Sequence, residues 1–211
     1  MCFSASASFI ASGGLATLGV ATLVVSKKQD KILALIPILF AIQQFLEGIQ
    51  WLYLNSGTHS TFIGYSFLFF AFIVWPVYVP SFIFILDEKR RKVLKWFVIL
   101  GSIVSIYFLA LLLSEPIFVS KVHACVSYTF HFPFKYPAMI LYLLTVFAPL
   151  VISSLKIFRW FGLLVGIFGI IAGLFFWLTF TSVWCFFAAA VSSMFFFYIK
   201  FKGPRVIVVN K

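Results

Sequence analysis

Apolar residues along this chain gather into seven long runs, at about 7–25, 32–54, 62–86, 96–113, 136–155, 160–180 and 182–200. Each approaches the ~20 residues a helix needs to cross a bilayer. Short polar turns separate them, apart from one longer connection from Ser114 to Lys135. The pattern predicts an all-α polytopic membrane protein. It would be a single seven-transmembrane-helix bundle over residues 1–202, followed by a short tail over 203–211.

The second run carries the most informative interruption. Within FAIQQFLEGIQWLYL, a helical rotation of ~100° per residue places Gln43, Gln44, Glu47, Gln50 and Trp51 inside one arc of roughly 120°. A carboxylate at membrane depth costs ~2.5–3.5 kcal/mol on insertion scales, so it belongs in a bundle interior or a wet cavity. The Glu47 face is therefore the leading candidate site. In the third run, WPVYVP sets Pro76 and Pro80 beside Trp75 at mid-span. Each proline removes a backbone donor and crowds the preceding turn, which predicts a kink that Trp75 could help wall. The sixth run spaces Gly162, Gly166, Gly169 and Gly173 on one face, a seam for close helix contact.

Composition agrees with the pattern. Of 211 residues, 64% are hydrophobic and 10% charged, far below the ~25% charged of a soluble domain. The net charge of +11 reads as a topology signal and not as nucleic-acid binding, because of where the cations fall. Lys27, Lys28 and Lys31 follow the first run, Lys89, Arg90, Arg91, Lys92 and Lys95 the third, Lys156 and Arg159 the fifth, and Lys200, Lys202, Arg205 and Lys211 the seventh. Only Lys121 and Lys135 fall on the opposite side. The positive-inside rule then predicts an outside N-terminus and a cytoplasmic C-terminus. MCFSASAS lacks the basic start of a cleavable signal peptide, so the first helix is expected to stay. Trp51, Trp96, Trp160, Trp177 and Trp184 fall near run ends, as an interfacial belt requires.

The same topology sends most reactive groups to the outer side: His59, His123, His131, Glu115, Cys2, Cys125 and Cys185, with Glu47 a short way below. The long loop SEPIFVSKVHACVSYTFHFPFK is too aromatic for a linker and is expected to fold back as a cap, bringing Tyr128 over the bundle. A metal site from His123, His131 and Glu115 or Glu47 is an alternative, although no HExxH occurs. One disulfide, Cys2–Cys125 or Cys125–Cys185, is open to three outer cysteines. The chain lacks a mid-span lysine in its last helix for retinal, a phosphate loop, a CxxCH haem motif and a GxSxG elbow.

MCFSASASF, QQFLEG, WPVYVP and SVWCFFAAAVSS together resemble an uncharacterised bacterial family of small polytopic membrane proteins. That family is marked by an MCFSA opening, a QQ-x-x-EG motif and a WCFFAA-like last helix. The resemblance spans Met1 to about Ser193 and implies a multi-pass protein of the bacterial inner membrane. It supports Glu47, Trp75 and the Trp184–Cys185 pair as site residues and implies no activity or cofactor. A looser likeness to seven-helix metal-dependent lipid hydrolases lacks their HxxxH spacing.

Three functions follow as expectations. The first is binding or transport of a small molecule or lipid in an outward-facing or occluded pocket formed by Glu47, Gln43, Gln44, Gln50, Trp75, Tyr128 and Trp184. The second is a zinc-dependent lipid hydrolase. The third is a structural or assembly protein in which Glu47 only orients helices. The bilayer is the expected partner; cofactor and oligomeric state stay open.

Overall fold

The computed structural model describes residues 4–27, 30–122 and 124–202. Helix α1 (Ala5–Val25) starts where Ser4 accepts from the Ala7 amide at 3.2 Å, a side-chain cap for an otherwise unpaired donor. Its small face of Ser8, Ser12 and Gly19 packs on α2 (Lys31–Asn55), and Ser12 Oγ donates to the Ala41 carbonyl at 2.8 Å. After Ser60, which caps the next helix, come α3 (Thr61–Phe69), a π-helical turn (Phe70–Val74) and α4 (Trp75–Leu86). A 3₁₀ turn (Glu88–Arg90) leads into α5 (Arg91–Ser114). Strands β1 (Phe118–Val122) and β2 (Cys125–Thr129) follow, then α6 (Lys135–Ile152) and α7 (Lys156–Phe175). A 3₁₀ turn (Trp177–Thr179), α8 (Phe180–Ser192) and α9 (Met194–Lys202) complete the described chain. Seven segments are long and apolar enough to cross a membrane: Ala5–Val25, Lys31–Asn55, Thr61–Leu86, Glu88–Ser114, Lys135–Ile152, Lys156–Phe175 and Trp177–Phe201. The chain has the architecture of a multi-pass membrane protein.

The expected kink is a π-helical turn. In that register the donor for the Ala71 carbonyl would come from residue 76, which is proline and has none. Tyr142 of α6 fills the gap, its hydroxyl donating to the Ala71 carbonyl at 2.8 Å, and Ser105 Oγ of α5 donates to the Ile73 carbonyl at 2.9 Å. The irregular turn is thus satisfied by the helices on either side, as backbone at membrane depth must be. Pro76 also comes so close to α5 that a Cβ on Gly101 would collide with its carbonyl oxygen.

The long connection does cap the bundle, but as an antiparallel hairpin, a departure from an all-α fold. Phe118 pairs with Thr129, Ser120 with Ser127 and Val122 with Cys125. Its β-branched residues suit a strand, and β2 is wedged between helix ends with Cys125 to Tyr128 all buried. Tyr128 stacks on Phe67 of α3 at 4.6 Å, and Ser127 Oγ donates to the Leu178 carbonyl at 2.8 Å.

Three local expectations are corrected. The turn between the sixth and seventh spans lies at Phe176, not at Thr181–Ser182, so Ser182 sits inside α8 and is buried. Trp51 and Trp184 are core residues, and only Trp96, Trp160 and Trp177 of the five are exposed near span ends. Helical structure begins well before residue 96, because α5 runs on through Arg91, Lys92 and Lys95 beyond its apolar stretch. The glycine seam of α7 is a packing face: Gly162 meets Leu150, Gly166 meets Phe147 and Gly169 meets Trp184.

Candidate functional site

The polar arc of α2 faces inward along its whole length, with Gln43, Gln44, Glu47 and Gln50 each fully buried. Burying four polar side chains is tolerable only if they find partners. Ser182 Oγ of α8 donates to Glu47 Oε1, and Gln44 Nε2 donates to Glu47 Oε2 at 3.3 Å. Gln43 Oε1 accepts from the Trp75 indole N–H at 2.9 Å. The Cys185 thiol of α8 lies beside the Gln43 amide. Three spans therefore meet at one polar layer: α2, the α3–α4 segment and α8. In that layer Gln44 Oε1 has no hydrogen-bond partner, and Gln43 Nε2 has only the weakly accepting Cys185 sulfur.

Next to the layer lies an apolar cavity walled by Ile36 and Phe40 of α2, Trp75 and Val79 of α4, Tyr142 and Val146 of α6, and Trp184, Cys185 and Ala188 of α8, among others. Its empty space totals about 480 Å³, of which the centres of water-sized molecules can occupy about 40 Å³. No wall residue is more than 8% exposed, so the cavity lies inside the bundle, although it is not fully closed off. The polar groups of its aromatic walls are turned outward and engaged: Trp75 on Gln43, Trp184 Nε1 on the Val165 carbonyl at 3.1 Å, and Tyr142 on Ala71.

Of the residues singled out in the sequence, Gln43, Gln44, Glu47 and Trp75 come together, and Trp75 and Trp184 both wall the cavity. None of Gln43, Gln44 and Glu47 is itself a wall. Gln50 points elsewhere: with its amide oriented to satisfy both ends, it donates to the Ser60 carbonyl at 2.8 Å and accepts from the Ser60 amide at 3.2 Å. Tyr128 belongs to the hairpin. Glu115 lies in a partly buried turn whose carbonyl accepts from Tyr65 at 3.0 Å, and His131 is exposed. Cys2 and His123 lie outside the described residues. Among the described residues no three His, Cys, Asp or Glu groups are placed to hold a metal ion. Cys185 is a free thiol, so it does not bridge to Cys125.

Sequence reading missed Ser182, Tyr142 and Asp87. Ser182 and Cys185 are three residues apart, one helical face, and that spacing was the available signal once the turn is placed correctly. Asp87, only 1% exposed, closes the opposite end of the bundle from the hairpin. It accepts from Ser153 Oγ at 2.8 Å, from Ser154 Oγ and Ser154 N at 2.6 Å each, and from Arg90 N at 3.3 Å. Burial works to raise its carboxyl, but these donors together outweigh it and hold the group below the ordinary carboxylate range.

The chain matches the model of a family described as a family of unknown function (DUF6629) over residues 1–207. No curated protein and no solved structure matches it. The match covers nearly all of the sequence, so this protein, with its seven apolar spans, buried Glu47 layer and interior cavity, belongs to that family.

Proposed function

We propose that this is a multi-pass protein of the bacterial inner membrane that binds or carries a small, mostly apolar molecule in the cavity between α2, α4, α6, α7 and α8. One observation carries the reading: an apolar space inside the bundle, walled by aromatic and aliphatic side chains, borders a buried polar layer in which Gln44 Oε1 has no hydrogen-bond partner. Pockets that recognise small ligands combine apolar walls with few polar groups in this way. The N-terminus lies outside and the C-terminus in the cytoplasm, a reading supported by the cations that cluster at one end of the spans. The π-helical turn beside Trp75 is the element that would move if the cavity opens, because it lacks the regular backbone ladder of the rest of its span.

A solvent extract of the protein, purified from its own membranes, tests this. Mass spectrometry is expected to find a stoichiometric small molecule that is lost in Ala188→Phe, a change that fills the cavity from its wall. Equal extracts from both proteins would overturn the reading.

A second reading, that the polar layer only orients helices, is favoured by Glu47 having both carboxylate oxygens engaged within the bundle. It predicts no bound molecule and a loss of folding stability alone when the layer is altered.

A further inference from the structure

We infer that the start of α7 seats an anionic phospholipid, its phosphate between Lys156 and Arg159 and an acyl chain lying along the helix beyond Trp160. This surface is on the outside of the bundle and does not depend on what the interior cavity holds.

Four residues line an open groove there: Lys156, Arg159, Trp160 and Leu163. Steps of three, one and three residues set them on one helical face. Phe158, on the opposite face, is fully buried, so the stripe looks away from the bundle. All four residues are exposed, and the stripe continues through Ile167 and Ile170, exposed as well. The empty space of about 670 Å³ admits a glycerophosphate head group.

Each part of the stripe answers a part of a lipid. Two cations one turn apart suit one phosphate, and the planar guanidinium of Arg159 can give it two parallel hydrogen bonds. No acid stands in the first turn of α7. The carboxylate closest in the sequence, Asp87's partner to Ser153 and Ser154, is buried and already taken by those serines and the Arg90 amide. Trp160 has the amphipathic ring that settles at head-group level. From Trp160 to Ile170 the helix rises ~15 Å at ~1.5 Å per residue, half of a ~30 Å hydrocarbon core and so the depth of one leaflet. A soluble anion would use the cations and leave the apolar stripe idle; a lipid uses both.

Orientation in the membrane is served by cations anywhere in a turn. It does not require them in register with a tryptophan and an apolar stripe, and the chain builds that register twice. KIFRWFGL at the start of α7 is matched by KVLKWFVI at the start of α5. Lys92, Lys95, Trp96 and Ile99 take the same four steps, Ile103 and Ile106 continue them, and all six are exposed. Leu94, in the place of Phe158, is likewise fully buried. Glu88 stands four residues ahead of Lys92, which makes the α7 groove the stronger seat for an anion.

Native mass spectrometry of the full chain in a neutral detergent tests this, with phosphatidylglycerol and phosphatidylcholine of identical acyl chains as probes. The native chain is expected to retain phosphatidylglycerol roughly tenfold more tightly. Lys156→Gln/Arg159→Gln should lose the tightest-bound molecule. Leu163→Trp, which fills the groove from an exposed position and leaves every charge in place, should lose it too. Lys89→Gln/Arg90→Gln removes the same charge from the neighbouring turn, off the stripe, and should keep it. Equal retention of the two lipids, or a loss in Lys89→Gln/Arg90→Gln as large as in Lys156→Gln/Arg159→Gln, overturns the seat in favour of general attraction to a charged end. Unchanged retention in Leu163→Trp overturns the groove as its place. Release of the lipid by glycerol 3-phosphate at equal concentration would mark a site for soluble phosphate esters and overturn the lipid.

Discussion

Two carboxylates show how the chain handles charge away from water. Glu47 is held by donors from its own helix and from α8. In Glu47→Gln the new amide can still accept from Ser182, and it can donate to Gln44 if that side chain turns its unpartnered Oε1 inward. Stability in detergent is therefore expected to stay within about 0.5 kcal/mol of the native chain, whereas Ser182→Ala should lose about 1 kcal/mol, the scale of interhelical hydrogen bonds in membranes. The reverse order in thermal melts would show that the layer depends on the charge of Glu47. Asp87 gives a pH signature. Its folded-state carboxyl lies below the ordinary 3.8, so its contribution is full above the unfolded-state value and is lost as pH falls through the folded one. Asp87→Asn is expected to melt earlier than the native chain at neutral pH, by about 1–3 kcal/mol for the weakened acceptor. The two curves should converge only in stronger acid, once pH has fallen below the folded-state value. A gap that persists there would mean the residue acts through shape and not through its charge.

At the scale of elements, the irregular third span is tied to α5 and α6 through its own backbone. Gly101→Ala would drive a methyl group into the Pro76 carbonyl, and because that neighbour is backbone and cannot swing aside, α4 and α5 must separate. A loss of more than about 3 kcal/mol, or failure to accumulate in the membrane, is expected. Gly14→Ala is the control: nothing lies within 4 Å of its added Cβ, and melting should be unchanged or slightly raised. Tyr142→Phe leaves the Ala71 carbonyl without its donor and should cost about 1 kcal/mol. These contacts also mark what the sequence could carry. The kink was legible because Pro76 has a local consequence. Its partners Tyr142 and Ser105 were not, because a hydroxyl in an apolar run looks the same whether it bonds its own helix or another. The hairpin was hidden for a related reason: two five-residue strands lie in a loop already known to be apolar and aromatic, and only the bundle beneath decides how it folds. Ser182 was misplaced by a few residues of apolar sequence, since hydropathy finds spans better than it finds their ends.

The whole molecule closes its two ends by different means, and this difference bears on orientation. One end is covered by the hairpin, with Ser127 tied to Leu178 and Lys121 Nζ held 5.3 Å from the centre of the Trp51 ring. The other carries the Asp87 knot between the α4–α5 and α6–α7 turns. Lys89, Arg90, Arg91 and Lys92 stand beside that knot, and Lys156 and Arg159 follow its serines directly. The hairpin end has Lys121 and Lys135, and Lys121 is engaged with an aromatic face. Cations resist translocation, so the knotted end is expected in the cytoplasm and the hairpin outside. Reporter fusions decide it: one after Asn55, in the turn under the hairpin, should be active only for a reporter that works outside, and one after Lys92 only for a reporter that works in the cytoplasm. The same orientation puts the Glu47 layer in the outer half of the membrane, one polar step beneath the hairpin, with the cavity on its inner side toward Ile36 and Ala188. A cytoplasmic signal at Asn55 would invert this arrangement, and a ligand would then meet the apolar cavity before the polar layer.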